Sequence, residues 1–181
     1  MRRLTTLAAA LLIAGGVLPG AAGAATGTEA RCSTVWGSGT ESAGSRSAVP
    51  LRDIRTGRHA CFDRMVFDLT GAAGAAGFDV RYVDTFRQDF TGDPIPVAGG
   101  AVLEIAVTAP SYDGELNPTY RARGKRALPG VDVDGYRTFR DHKFGTSWEG
   151  RTQVGLGVRA RLPFRVVRTG DRVIVDVAHR W

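Results

Sequence analysis

The sequence predicts an all-β chain: an antiparallel β-sandwich of two packed sheets, or a partly open barrel. Three observations carry the expectation. Residues 151–179 alternate with a period of two, placing Val154, Leu156, Val158, Ala160 and Leu162 on one face and Gly155, Gly157, Arg159 and Arg161 on the other. Strand-length segments recur along the chain between Gly- and Pro-rich turns, about seven or eight of them. No segment shows helical periodicity beyond two turns.

In order, Leu51 to Arg55 forms a short strand that ends at Gly57. Residues 61–69 place Met65, Phe67 and Leu69 on one face, against Phe62, Arg64, Val66 and Asp68. Three glycines interrupt the alanines of residues 71–77 and turn a helix-forming composition into a turn region. Residues 78–83 alternate Phe78, Val80 and Tyr82 with Asp79 and Arg81, and 102–107 align Leu103, Ile105 and Val107. Residues 84–100 and 110–130 read as long loops, where binding commonly sits. Residues 131–144 are less regular but carry Val133, Tyr136, Phe139 and Phe144, and 145–150 reads as a turn. After Pro163, two β-branched runs flank residues 168–172, a hairpin signal in which Gly170 is available for a positive φ. The paired glycines 155 and 157 leave a flat strand face that lets another segment approach.

Residues 1–24 have the three-part layout of a secretory signal peptide. Arg2 and Arg3 precede an apolar run from Leu7 to Val17 and an A-x-A site at Ala22-Gly23-Ala24. The apolar run is shorter than the roughly 20 residues a membrane span needs. Thr5 and Thr6 interrupt a twin-arginine pattern, which favours the general secretory route. Removal leaves about 157 residues without a transmembrane segment, enough for one domain with a sizeable core. Residues 25–48, rich in Gly, Ser, Thr and Ala, are expected to be a flexible segment held only by Cys32 and Trp36. The domain proper spans 49–181. Cys32 and Cys61 are the only cysteines, and an even number in an exported chain predicts a disulfide. The leader accounts for two of the six net positive charges. The remaining basic excess is mild for a nucleic-acid binder, and an exported chain has little access to one, so no nucleic-acid partner is expected. An anionic wall polymer or lipid surface is the natural counter-charge.

Motifs that could carry catalysis lack their context. Gly145-Thr146-Ser147-Trp148-Glu149 approaches a nucleophile elbow, but glutamate replaces the last glycine and a strand follows instead of a helix. Gly155-Leu156-Gly157-Val158-Arg159-Ala160 matches G-x-G-x-x-A without the helix that would aim amides at a pyrophosphate. Asp132-Val133-Asp134-Gly135 would open a calcium loop, yet Lys143 stands where its closing glutamate belongs. The three histidines, His59, His142 and His179, lack zinc spacing, so neither metal nor cofactor is expected. A binding surface has more support. Arg121, Arg123, Lys125 and Arg126 share a loop with Tyr112 and Tyr120 and, with Trp148, could hold an anionic polymer while the aromatic rings stack on sugars or peptide. A solvated basic loop is the plain alternative.

Several motifs together resemble the AMIN-like domain of exported actinobacterial proteins. They are Cys32-x-x-x-Trp36-Gly37-Ser38; Arg55-x-Gly57-x-His59-x-Cys61-Phe62-Asp63-Arg64-x-Val66-Phe67-Asp68; Trp148-Glu149-Gly150 leading into Gly155-Leu156-Gly157-Val158; Pro163-Phe164-Arg165-Val166; and Val175-Asp176-Val177-Ala178-His179. That family is similar to the AMIN domain found beside cell-wall amidases, a non-catalytic β-sandwich implicated in peptidoglycan binding and septal targeting. The resemblance implies a secreted, cell-wall-associated module that contacts peptidoglycan or another envelope polymer. The alternatives are a secreted hydrolase using His59, Asp63 or Ser147, and an adaptor that recruits a separate envelope enzyme.

Overall fold

A computed structural model of the protein describes residues 32, 35–44, 49–71 and 76–181. The expected signal peptide and most of the Gly/Ala turn after Gly71 lie outside the described residues. The domain is all-β, with two antiparallel sheets packed face to face and no closed barrel. One sheet has five strands in the order β1-β4-β5-β7-β6: β1 (Glu41–Ala43), β4 (Phe78–Val83), β5 (Ala101–Val107), β7 (Arg151–Val158) and β6 (Phe139–Trp148). The other has four, β2-β3-β9-β8: β2 (Asp53–Arg58), β3 (Phe62–Asp68), β9 (Arg172–Ala178) and β8 (Phe164–Thr169).

The period-two pattern fills the core. Leu103, Ile105, Val107, Val154, Leu156 and Val158 from the larger sheet meet Ile54, Met65, Phe67, Val173, Val175 and Val177 from the smaller one, all buried. Asp63 is buried too, where it accepts hydrogen bonds from the Thr138 and Phe139 amides (2.6 and 3.3 Å) and faces His179 Nε2 at 3.1 Å. That carboxylate ties β3, the entry to β6 and the end of β9 together.

The predicted flat glycine face exists and is covered. Residues 84–100 lie across the outside of the larger sheet, with Phe86 buried over Gly145 and Gly155 and the Ala98 carbonyl on Gly157. A Cβ on Gly155 would stand 2.5 Å from the Phe86 ring, and one on Gly157 would overlap the Ala98 oxygen. The Gln153 side chain fastens the same segment: its amide donates to the Arg87 carbonyl (2.8 Å) and its oxygen accepts from the Asp89 amide (3.0 Å).

Several element boundaries differ from the sequence reading. The strand expected to run to Leu162 stops at Val158, where the Arg159 amide turns to the Thr138 carbonyl; Leu162 still reaches the core. Residues 145–148, read as turn, belong to β6, and only Glu149 and Gly150 turn. The glycine of that stretch is required for packing under Phe86 and Gln153, and one extra residue between Phe144 and Ser147 makes a β-bulge. Gly170 does not take a left-handed φ, so the β8–β9 hairpin turns without it. Glu41–Ala43, inside the stretch expected to be ordered only at Cys32 and Trp36, is an edge strand on β4. The Gly37 carbonyl accepts from the Phe164 amide (2.8 Å), and a Glu41 carboxylate oxygen accepts from the Val166 amide (2.9 Å). Residues 37–43 thus bridge the two sheets along one seam. Cys32 and Cys61 form the predicted disulfide at the base of this strap, with Cα atoms 5.3 Å apart.

Candidate functional site

The two long loops shape the end of the larger sheet where β6 turns into β7. Each carries a small hairpin-like tip closed by an isolated bridge, Arg87 with Pro94 and Tyr112 with Pro118. Phe90 (φ 76°) lies inside the first tip and Leu116 (φ 66°) inside the second, both in left-handed backbone. Their side chains are 86% and 74% exposed. Left-handed backbone costs a residue with a Cβ about 1–2 kcal/mol, and neither residue offsets that by burial. In the second tip Asp113 enforces the conformation, accepting from the Asn117 amide at 2.8 Å and the Glu115 amide at 3.1 Å. These bonds hold its carboxyl below the ordinary range, the Asn117 amide contributing most.

Beside the second tip lies a surface groove of about 290 Å³, bounded by Tyr112, Leu116, Pro118, Tyr120, Phe144 and Ser147 among others. Trp148 follows Ser147 at the end of β6, 55% exposed, with its ring 5.5 Å from that of Phe90. Glu149 (φ 48°) and Gly150 (φ 77°) complete a tight turn with two left-handed residues, of the kind that suits a hairpin's twist. The Gly150 amide approaches the Tyr112 hydroxyl at 3.5 Å. Of the exposed apolar side chains at this end of the sheet, Leu116 borders the groove, while Phe90 and Trp148 pair with each other, Trp148 following the groove residue Ser147 in the chain.

The other sequence-nominated residues divide. Tyr112 is half-buried on the groove wall. Tyr120 is 6% exposed and belongs to the core: its hydroxyl donates to the Pro129 carbonyl (3.1 Å), and burial raises its pKa, with Asp53 adding to the effect. It offers an edge to the groove and no open face for stacking. Arg121, Arg123, Lys125 and Arg126 are exposed. Lys125 pairs with Asp93 at 2.9 Å; the other three have no side-chain hydrogen bond or ion pair among the described residues. The backbone of the same loop covers the outer edge of β6, since the Lys125 amide donates to Phe144 and the Phe144 amide to Arg126, both at 2.8 Å.

The residues of the hydrolase reading are not brought together. His59 is exposed and stacks on Phe62, ring centroids 4.5 Å apart. Asp63 is buried with His179. Ser147 Oγ accepts from the Ser111 amide (2.8 Å) and lies 3.1 Å from Thr152 Oγ1. Thr152 spends its own proton on the Ala109 carbonyl (2.7 Å), so Ser147 is the donor to Thr152 and its hydroxyl is committed. Asp132 accepts from the Asp134 amide (2.9 Å) in a simple turn, as expected. Among the described residues, no group of three His, Cys, Asp or Glu is arranged to hold a metal ion. No described helix is long and apolar enough to cross a membrane.

Four of the five motifs that carried the resemblance contribute residues elsewhere, to the outer face of the smaller sheet. Asp176 is fully buried between two guanidinium groups, bidentate to Arg64 (2.6 and 2.9 Å) and bonded to Arg165 Nε (2.9 Å). The hydrogen bond to Asp176 raises the Arg64 pKa against its partial burial. Arg165 in turn lies 4.3 Å from the Trp36 ring, which meets Phe62 at 5.7 Å. The Arg-Asp-Arg row and its aromatic cover fix the register β3-β9-β8 and dock the strap. Most of the motif is therefore a fold determinant. Sequence reading missed Phe90 and Leu116, whose only signal was an apolar residue inside turn-forming sequence.

Fold and site together define an antiparallel β-sandwich with an open, aromatic-rimmed groove at one end. The sequence pattern of the AMIN-like domain matches residues 49–179, so the chain belongs to the AMIN-like family. That membership points to a cell-wall-related binding module. No curated protein and no solved structure matches the chain.

Proposed function

We propose that the chain is an exported, non-catalytic envelope module that holds peptidoglycan, or a similar wall polymer, in the groove beside Trp148. Residues 1–24 act as its signal peptide and 49–181 as the binding domain, and the disulfide agrees with an oxidising compartment. The observation that carries the reading is the exposure of Phe90, Leu116 and Trp148, the first two in left-handed backbone, at the end of the sheet that holds the groove. Flat apolar rings suit the C–H faces of sugars. The free guanidinium groups of Arg121, Arg123 and Arg126 suit carboxylates along the polymer.

The test is sedimentation of the protein lacking residues 1–24 with insoluble sacculi. It co-sediments at low salt, and Trp148→Ala weakens retention about tenfold, in line with a stacking contact of 1–2 kcal/mol. Alanine at residues 121, 123, 125 and 126 weakens binding and flattens its salt dependence. Protein left wholly in the supernatant at low salt removes the reading. Muropeptides released over time, and lost in His59→Ala, would favour a hydrolase. Capture of an envelope enzyme without polymer binding would favour an adaptor.

A further inference from the structure

A second concavity, larger than the groove, lies at the opposite end of β5. It measures about 470 Å³ and is bounded by Tyr82, Asp84, Gly99, Gly100 and Arg161 among others. β5 itself, about 20 Å long, separates it from the groove, since Ala101 and Val102 line the one and Ser111 the other.

Two opposite charges share this concavity without joining. Asp84 is exposed and has no hydrogen bond or ion pair among the described residues. Arg161 is held from behind: Nη2 donates to the Ser38 carbonyl (3.1 Å), Nε approaches Ser38 Oγ (3.4 Å), and the guanidinium sits 5.2 Å from the Tyr82 ring centroid. Its Nη1 has no partner among the described residues. The Tyr82 hydroxyl is fixed as well, donating to the Leu162 carbonyl (2.8 Å) and accepting from the Leu162 amide (3.0 Å). Ring and cation are therefore set before any ligand arrives. The floor is bare backbone by necessity: a Cβ on Gly99 would stand 2.7 Å from the Val158 oxygen, and one on Gly100 would overlap the Arg159 oxygen. Beside the site, Trp181, 72% exposed, donates its indole N–H to the Arg161 carbonyl at 3.2 Å.

We propose that this concavity binds the zwitterion of a short free peptide, its C-terminal carboxylate on Arg161 and its N-terminal ammonium on Asp84. A purely anionic ligand would meet Asp84, and a purely cationic one Arg161; only a ligand carrying both charges satisfies both walls. The planar fork of arginine suits a carboxylate, and the preset Arg161–Tyr82 stack limits the ordering cost of binding. This site is independent of the groove.

The probes are free alanyl-alanine, its N-acetyl derivative and its C-terminal amide, titrated into the protein lacking residues 1–24 and followed by backbone amide NMR. Free dipeptide binds with a Kd of about 1 mM and moves the Gly99, Gly100 and Arg161 amides, while blocking either end weakens binding about tenfold. Arg161→Gln and Asp84→Asn, both exposed and read in spectra of unchanged dispersion, each weaken the free dipeptide about tenfold. Trp148→Ala leaves its affinity unchanged. Equal binding of free and blocked dipeptides, shifts confined to other residues, or no shift at about 10 mM overturns the assignment.

Discussion

Gly155→Ala tests how the first long loop is held. The new methyl would stand 2.5 Å from Phe86 Cδ1 and 2.8 Å from Cε1 and Cγ, where carbon atoms need about 3.5–4.0 Å. The ring must retreat by about 1 Å, and it has little room to do so. A Cβ position on Gly145 already lies 3.0 Å from Cζ, and Gln153 ties down the backbone on either side of Gln88. Overpacking of this kind costs about 2 kcal/mol, a fall in Tm of about 4–8 °C for a domain of this size. Phe86→Ala alone costs about 3 kcal/mol through the void it leaves. In the double variant the methyl enters that void instead of striking a ring. The total stays near 3 kcal/mol instead of 5, a coupling of about 2 kcal/mol. Urea unfolding of the four proteins with the disulfide intact measures the cycle. Additivity within about 0.5 kcal/mol would refute the claim that Gly155 is glycine because Phe86 lies on it.

The disulfide spans 29 residues of sequence, and opening it by Cys32→Ser with Cys61→Ser should cost about 3–4 kcal/mol, lowering Tm by about 10 °C. An unchanged Tm would mean that the strap is held by Trp36 and β1 alone. His142 is buried, its Nδ1 accepting from the Leu128 amide at 3.0 Å, and burial lowers its pKa below the ordinary 6.5 against the opposing pull of Asp141. The unfolded chain therefore takes up a proton that the folded chain resists. Stability is full above about pH 6.5 and falls as pH drops toward the folded pKa. His142→Asn, which keeps an acceptor for Leu128, flattens that decline in urea midpoints measured between about pH 7.5 and pH 5; an unaltered slope assigns the pH dependence to another group.

Strand positions were legible because alternation states which side chains face the core, and both sheets obey it from Phe62 to Ala178. The flat face of Gly155 and Gly157 was legible for the same reason, although what covers it was not: nothing local marks Phe86 as the residue that lies there. Strand ends were poorly legible. Ala160 and Leu162 keep the alternation after β7 has ended, because the chain turns while still delivering them to the core. β1 is three residues with no apolar pattern, and its order comes from Val80 opposite and from the Glu41 bond to β8. Tyr120 shows the limit for site residues. A tyrosine beside four basic residues suggests a stacking surface, yet the chain turns its ring inward, and only tertiary packing decides that.

The two loop tips at this end of the sheet were illegible for a reason that bears on function. A sequence specifies a fold most clearly where each local choice lowers the energy, and Phe90 and Leu116 do the opposite: a Cβ in left-handed backbone and an apolar side chain in water. Strain with no gain in stability is expected where a surface serves a ligand. Leu116→Asn separates the two demands. Asparagine tolerates left-handed backbone, and the Asp113 bonds that shape the tip go to amides that the substitution leaves in place. Stability should rise by about 1 kcal/mol while retention on sacculi falls severalfold. A variant that is more stable and binds equally well would show that Leu116 is only a tolerated defect. One that is less stable would show that its exposed side chain makes a contact the fold needs.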